Sequence, residues 1–356
     1  MRRAALALLP CLASSFFVKE WTPKKPCILP SDAHIVQISG PRGCRPLHAV
    51  CEINRRNAGG LSFLHFPHAL QHLLPCWSAF QRFPGLQRVL FFRTKQGRGI
   101  LRSPWSLGLA DLMGAKIAVD SLPLPPGACA VHASRRDMPK SGWKDCVQWV
   151  SRAEDLAALR RAVRARVHMS ERGLGTKGLG PAAIEAPLRV GVMVRRGPRA
   201  LVHEAAILEA IRAALPNATV DAASFSGLPF LEQARWVLKQ DALVTPHGAQ
   251  NANLAFARPC VPVLELFPRH YYIPGFFLSL VRAAGALPFV AYPTDSPEED
   301  MLSAKGKRGV VSGARSALIE ASPANVTWAL TRMLKRRAEC RQPRGWLQTL
   351  WHKVFP

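Results

Sequence analysis

From Arg189 to Ala291 short apolar runs alternate with stretches of helical period, and this alternation narrows the folds open to the chain more than any other feature. Arg189–Val194, Thr219–Phe225, Asp241–Thr245, Val261–Phe267 and Leu287–Ala291 read as strands. Between them, His203–Leu215 places Ile207, Leu208, Ile211 and Leu215 on one helical face, and Pro229–Lys239 and Pro274–Ala284 read as helices too. Strand–helix–strand order implies a parallel sheet with right-handed crossovers, and so an α/β fold.

The turn after the third strand carries the chemistry. In Thr245–Pro268 (TPHGAQNANLAFARPCVPVLELFP) an apolar strand ends, His247, Gly248 and Ala249 form the turn, and a short helix-like segment brings Asn253. A second strand follows with Glu265 inside it. Open α/β sheets bind ligands at the carboxyl ends of their strands. A glycine beside a histidine lets backbone approach a charged group that the imidazole also reaches. The segment therefore predicts a site for an anionic small molecule such as a nucleotide. Each residue also has a plainer reading: His247 bonded to backbone, Asn253 a helix cap, Glu265 paired with an arginine, and Arg195 and Arg199 solvated. Their joint order favours the site.

Upstream, Leu61–Phe80 reads as a helix, Val89–Phe92 as a buried strand and Leu107–Gly114 as a helix. Ser151-Arg-Ala-Glu154 is a capping box opening a helix with Leu156, Leu159, Val163 and Val167 at helical spacing. Gly173–Pro187 matches GxGxxG by letter, but a helix precedes it and Pro181 interrupts it, so it reads as a linker rather than a dinucleotide loop. Residues 19–60 look irregular, residues 295–317 read as a charged loop, and Ser322-Pro323 caps a last helix, Asn325–Arg337.

The chain has 356 residues and a formal charge of +25, which raises nucleic acid as a partner. The arginines are spread along the whole chain, however. The two compact basic clusters, Lys305–Arg308 and Lys335–Arg337, lack an aromatic stacking platform, and no nucleic acid is expected. The apolar run Ala4–Val18 follows two arginines and is broken by Pro10; it reads as a signal sequence, a truncated anchor, a transit peptide or an ordinary helix. Nine cysteines contain no CxxC pair, so zinc-ribbon and thioredoxin readings lack support, and one or two disulfides or none are all compatible. Asn217-Ala-Thr219 and Asn325-Val-Thr327 are glycosylation sequons that favour the secretory route.

Three segments together resemble glycosyltransferase family 61: Arg189–Glu204 (RVGVMVRRGPRALVHE), Pro229–Thr245 with Glu232-Gln233 and Asp241-Ala-Leu-Val, and the HGA…N…F…E-L-F-P core of Thr245–Pro268. Fainter similarity reaches Phe63-Leu-His65-Phe and the strand at Val89. The resemblance implies a fold of the GT-B type, with two Rossmann-like domains and parallel sheets facing a cleft. Taken with the residue patterns above, it gives a signal- or anchor-like segment over 1–20, an irregular region over 21–60, an acceptor-side α/β domain over 61–172 and a linker over 173–187. A nucleotide-sugar-binding Rossmann-like domain over 188–320 and a C-terminal helix and tail over 321–356 follow. It also implies inverting transfer of xylose, arabinose or N-acetylglucosamine from a UDP-sugar to a polysaccharide or glycoprotein. The working place would be the Golgi or endoplasmic reticulum lumen with N-terminal membrane association, the alternatives being secretion or a plastid.

No two aspartates stand two apart, Glu298-Glu-Asp300 being the nearest imitation, so no metal is expected and cations and amides must hold the diphosphate. The expected donor residues are Arg195, Arg199, His247, Gly248, Ala249, Asn253 and Glu265, with Glu265 accepting from ribose hydroxyls; the expected general base is His65. The sequence departs from the family at His203, where asparagine is usual, and at Gln250-Asn-Ala, which replaces glycine-leucine-threonine. It also lacks an aspartate shortly after His65, where His68 or Ala69 stands. An inactive basic protein of the same fold, binding RNA or acidic polysaccharide, is the rival reading.

Overall fold

The computed structural model describes residues 16–23, 34–39, 46–53, 66–92, 103–119, 130–135, 153–167, 187–300 and 310–342. They build two sheets. The C-terminal sheet comprises β7 (Arg189–Val194), β8 (Thr219–Ser224), β9 (Ala242–Pro246), β10 (Pro262–Leu266) and β11 (Leu287–Tyr292), joined by β1 (Phe17–Glu20). Its order is β1-β11-β10-β9-β7-β8. All pairs are parallel except β1 with β11, in which Phe17 faces Tyr292 and Glu20 faces Phe289. The N-terminal sheet comprises β2 (His34–Ser39), β3 (His48–Ile53), β4 (Gln87–Phe92), β5 (Ala115–Val119) and β6 (Ala130–Arg135), in the order β2-β6-β3-β4-β5. Only β2 runs antiparallel to its neighbour.

Several α-helices lie among the described residues, the longer ones as follows. They are α1 (Phe66–Gln81), α2 (Pro104–Leu112), α3 (Ala153–Arg166), α4 (Glu204–Ala214), α5 (Phe230–Lys239), α6 (Leu278–Ala283), α7 (Val310–Ser316) and α8 (Pro323–Arg341). A 3₁₀ helix, Ala249–Phe256, follows β9. Alternation along the strands divides the core. Val190, Val192 and Val194 of β7 join Ile207 and Ile211 of α4 and Val326, Ala329, Leu330 and Met333 of α8. Met193, Leu243 and Val263 face the other way, into a larger cluster shared with the helices of both halves. Leu73, Trp77, Leu109 and Leu156 from α1–α3 belong to it together with Phe230, Leu254 and Leu280. The two sheets are thus joined through a common helical layer.

Polar bolts cross that layer. Trp105 Nε1 donates to Asn253 Oδ1 at 3.1 Å, Asn253 Nδ2 donates to Gln233 Oε1 at 2.8 Å, and Arg160 donates to the Ala284 carbonyl at 3.1 Å. Gly108 of α2 is needed here, because a Cβ at that position would collide with the Phe230 side chain. At the amino ends of β7 and β9, Asp241 accepts from Arg258, Arg337 and the Arg189 amide. Cys260 and Cys340 are disulfide-bonded beside it, and a second disulfide joins Cys51 to Cys76.

The alternating α/β pattern from Arg189 onward matches these elements within a few residues. Three expectations are corrected. The region 21–60, expected to be irregular, holds β2 and β3; β5 and β6 had no counterpart; and the loop 295–317 contains α7. β2, β5 and β6 are short runs broken by charged or polar residues, so no period of two stands out. The linker lies outside the described residues save Pro187, as do residues 1–15 of the N-terminal segment, while Phe17 and Val18 belong to β1. Among the described residues no helix is long and apolar enough to cross a membrane.

Candidate functional site

From β7 the chain moves outward to β8 on one side, whereas β9, β10 and β11 follow in turn on the other. The crevice beyond the carboxyl ends of β7 and β9 is therefore the topological switch point, where sheets of this kind take ligands. Two loops border it. One leaves β7 and carries Arg195 and Arg199; the other leaves β9 and carries His247, Gly248 and Ala249.

The loops are latched together. Arg195 Nη1 donates to the His247 carbonyl at 3.3 Å, and a Cβ on Gly248 would collide with that same nitrogen. Arg199 adopts φ 61°, a left-handed conformation uncommon for a side chain of its size. Its amide donates to the Ala317 carbonyl at 3.0 Å, and Leu201 bridges to Ile319, so the segment after α7 fixes the loop. The Arg199 guanidinium lies over the Tyr271 ring at 5.7 Å. Burial lowers both arginines' affinity for the proton; Arg199 reinforces this at Arg195, while at Arg199 Tyr271 and Glu265 oppose it and Arg315 of α7 reinforces it. Both lie far above neutrality in their ordinary state and remain cationic.

His247 is 3 % exposed. Its amide donates to the Leu266 carbonyl at 2.8 Å, and its ring stacks on Phe267 with Tyr271 and Phe277 around it. Nδ1 meets Glu265 Oε1 at 2.7 Å. Burial lowers the imidazole's tendency to take a proton; the Glu265 carboxylate opposes this, and Arg199 and Arg195 reinforce it. With a carboxylate at Nδ1, that nitrogen carries the ring proton of the neutral form and Nε2 holds the lone pair.

Glu265 is completely buried. Its Oε1 also accepts from Asn251 Nδ2 at 2.8 Å, and Asn251 Oδ1 accepts from Thr245 Oγ1 at 2.6 Å. Thr245, Asn251 and Glu265 are all 0 % exposed, so a complete buried chain of hydrogen bonds stands behind the histidine. Glu265 Oε2 is buried without a hydrogen-bond partner among the described residues.

The structure thus brings Arg195, Arg199, His247, Gly248 and Ala249 to one crevice. Glu265 lies behind His247, where its carboxylate holds the imidazole. Asn253, also fully buried, ties the 3₁₀ helix to Trp105 and Gln233. His65 lies outside the described residues; α1 begins at the next position. Asp300, the nearest imitation of a metal-binding aspartate, accepts from Tyr292, the His270 amide and Arg269. Among the described residues no three metal-ligating side chains converge. Asn217 is exposed in the turn between α4 and β8, whereas Asn325 lies in the first turn of α8 with its amide bonded to Ser322 Oγ. Sequence reasoning passed over Thr245 and Asn251, whose signal was two polar residues within an apolar stretch. It also passed over Tyr271 and Arg315, for which spacing gave no signal.

The glycosyltransferase 61 family model matches residues 66–264, more than half of the chain. This chain belongs to glycosyltransferase family 61. Family membership carries sugar transfer as the activity in general. The matched stretch contains Arg195, Arg199, the HGA turn and Asn253, and ends one residue before Glu265. No curated protein matches the chain.

Proposed function

We propose that this glycosyltransferase transfers a sugar, with inversion and without a metal, from a UDP-sugar to a polysaccharide or glycoprotein. The observation that carries the reading is the meeting of Arg195, Arg199 and the HGA turn at the switch point, with the two loops latched by the Arg195–His247 hydrogen bond. As the glycosidic bond breaks, the departing diphosphate gains negative charge. The guanidinium groups of Arg195 and Arg199, His247 and the amides of Gly248 and Ala249 are able to stabilise it. The absence of an Asp-x-Asp pair from the sequence supports a site that uses cations and amides for this purpose.

Inversion requires a base that takes the acceptor's proton while the diphosphate leaves from the opposite face of the sugar. His65 is the proposed base, supplied by the N-terminal half after β3. In the GT-B arrangement that we propose, each parallel sheet is the frame of one half, with the acceptor bound by the first and the donor by the second. The candidate donors are UDP-xylose, UDP-arabinose and UDP-N-acetylglucosamine. A lumenal compartment, Golgi or endoplasmic reticulum, fits the two disulfides and the exposed Asn217 sequon.

The test is a panel of nucleotide-sugars read as UDP release, together with calorimetric titration of UDP. We expect UDP to bind the wild type, and His247→Ala and Arg195→Ala each to weaken it by roughly 10- to 100-fold, the loss expected for charge-assisted contacts. Absence of heat with UDP, joined to strong salt-dependent binding of RNA or acidic polysaccharide, would replace the transferase by a binding protein of the same fold.

A further inference from the structure

Asn251 is an internal part of the candidate site. The Asn251 carboxamide lies between Thr245 and Glu265, all three fully buried. Its geometry leaves little freedom. The Thr245 hydroxyl, 2.6 Å away, donates to Oδ1 and so fixes which end of the carboxamide faces Glu265. The amide Nδ2 then donates to Oε1, the same oxygen that meets His247 Nδ1. Oε1 thus accepts from Asn251 and faces Nδ1 as an acceptor, which places the ring proton of the neutral imidazole on Nδ1.

We propose that Asn251, oriented by Thr245, is a positioning residue that holds Glu265 Oε1 against Nδ1 of His247, so that the imidazole meets the donor diphosphate by taking up a proton on Nε2. This rests on the donor-site reading above. The step balances simply: one proton passes from bulk water to Nε2 as the diphosphate binds and returns to water when UDP leaves. In the unliganded site Nε2 holds a lone pair, and a lone pair does not face phosphate oxygens favourably. Protonation turns it into a charged donor, and the incoming negative charge offsets the unfavourable burial. Among the described residues, the charged and titratable groups around the ring are Glu265 on β10, Arg195 and Arg199 in the loop after β7, and Tyr271 after β10. Phe267 stacks on the ring and Phe277 lies beside it. The two arginines oppose the proton before ligand binds, and the diphosphate neutralises their effect.

The sign of the pH dependence follows. The free imidazole is neutral above its lowered midpoint and the bound one is protonated, so UDP affinity falls as pH rises between the free and bound midpoints. Replacing Asn251 by leucine removes one donor from Glu265 Oε1. With that donor gone, Oε1 bonds His247 Nδ1 more strongly, and the imidazole takes its second proton at higher pH. Thr245 is not stranded by the change, because its hydroxyl also reaches the Pro246 carbonyl at 3.2 Å.

Two measurements test this on the full-length chain. UDP is titrated calorimetrically between about pH 5 and 8 in buffers of differing ionisation heat, and the imidazole resonances of the unliganded protein are followed by NMR over the same range. For the wild type we expect uptake of a proton on binding UDP above the free midpoint. For Asn251→Leu we expect both the NMR midpoint of His247 and the pH at which affinity begins to fall to rise by about one unit. Asn251→Gln, which keeps a donor, should restore part of the wild-type profile. Comparing variants with one probe cancels the titration of UDP's own phosphate. If wild type binds UDP with no proton uptake, or the Asn251→Leu midpoint coincides with wild type, the positioning role is overturned while the donor site stands. If wild type does not bind UDP, the donor-site reading itself falls, and the NMR midpoints still decide whether Asn251 governs the His247–Glu265 pair.

Discussion

At the scale of single residues, Gly248 shows how the site depends on what is missing from a side chain. A methyl group at this position would displace the Arg195 guanidinium from the His247 carbonyl. Because the displaced atoms are the end of a flexible side chain, Gly248→Ala should leave the fold intact and weaken UDP binding by about tenfold, the loss of one charge-assisted contact. Calorimetry beside a thermal melt separates the two effects, and a large fall in melting temperature would show the glycine to be structural instead. Residue identity was readable wherever a local pattern carried it: the HGA turn, the paired arginines and Glu265 were all visible in the sequence. What Glu265 does was not, because its partners Asn251 and Thr245 become neighbours only when β9, the 3₁₀ helix and β10 fold together. Arg315 was less visible still. It reaches Arg199 through a parallel bridge between Leu201 and Ile319, a contact that no spacing in the chain announces.

At the scale of elements, the 3₁₀ helix after β9 holds the turn at one end and the N-terminal half at the other. Asn253 makes both of its amide functions count, accepting from Trp105 and donating to Gln233 and the Gln250 carbonyl. Asn253→Ala leaves the Trp105 indole and Gln233 without these partners in a buried place, a cost of about 1–3 kcal/mol. Denaturant unfolding should register it as a lower midpoint, and an unchanged midpoint would mean that water replaces the carboxamide. Elements were legible where burial was one-sided and long, as in α4 with Ile207 and Ile211 inward, or where a strand was apolar throughout, as in β9 and β10. β5 escaped notice because Lys116 breaks its apolar run, and β2 because His34 and Gln37 do the same. Their places are set by pairing with β4 and β6, which is a tertiary effect.

At the scale of the whole molecule, the two ends of the C-terminal sheet are assigned different tasks. The carboxyl ends carry the site; the amino ends carry the Asp241 cluster and the Cys260–Cys340 disulfide, which fastens the last turns of α8 to the sheet. Cys340→Ser should cost about 2–5 kcal/mol of stability, given the long loop that the bond closes. Urea unfolding should show the loss, and UDP affinity measured well below the midpoint should be unchanged because the bond lies at the opposite end from the site. A parallel change in UDP affinity would contradict that separation. Strand β1 has a further consequence. Running antiparallel to β11, with Phe17 opposite Tyr292, it receives the preceding chain at the carboxyl ends of the strands, the end where the crevice opens. Cys340, by contrast, is held at the amino ends. The first residues of β1 therefore stand at the same end of the sheet as the candidate site, and the last turn of α8 at the opposite end.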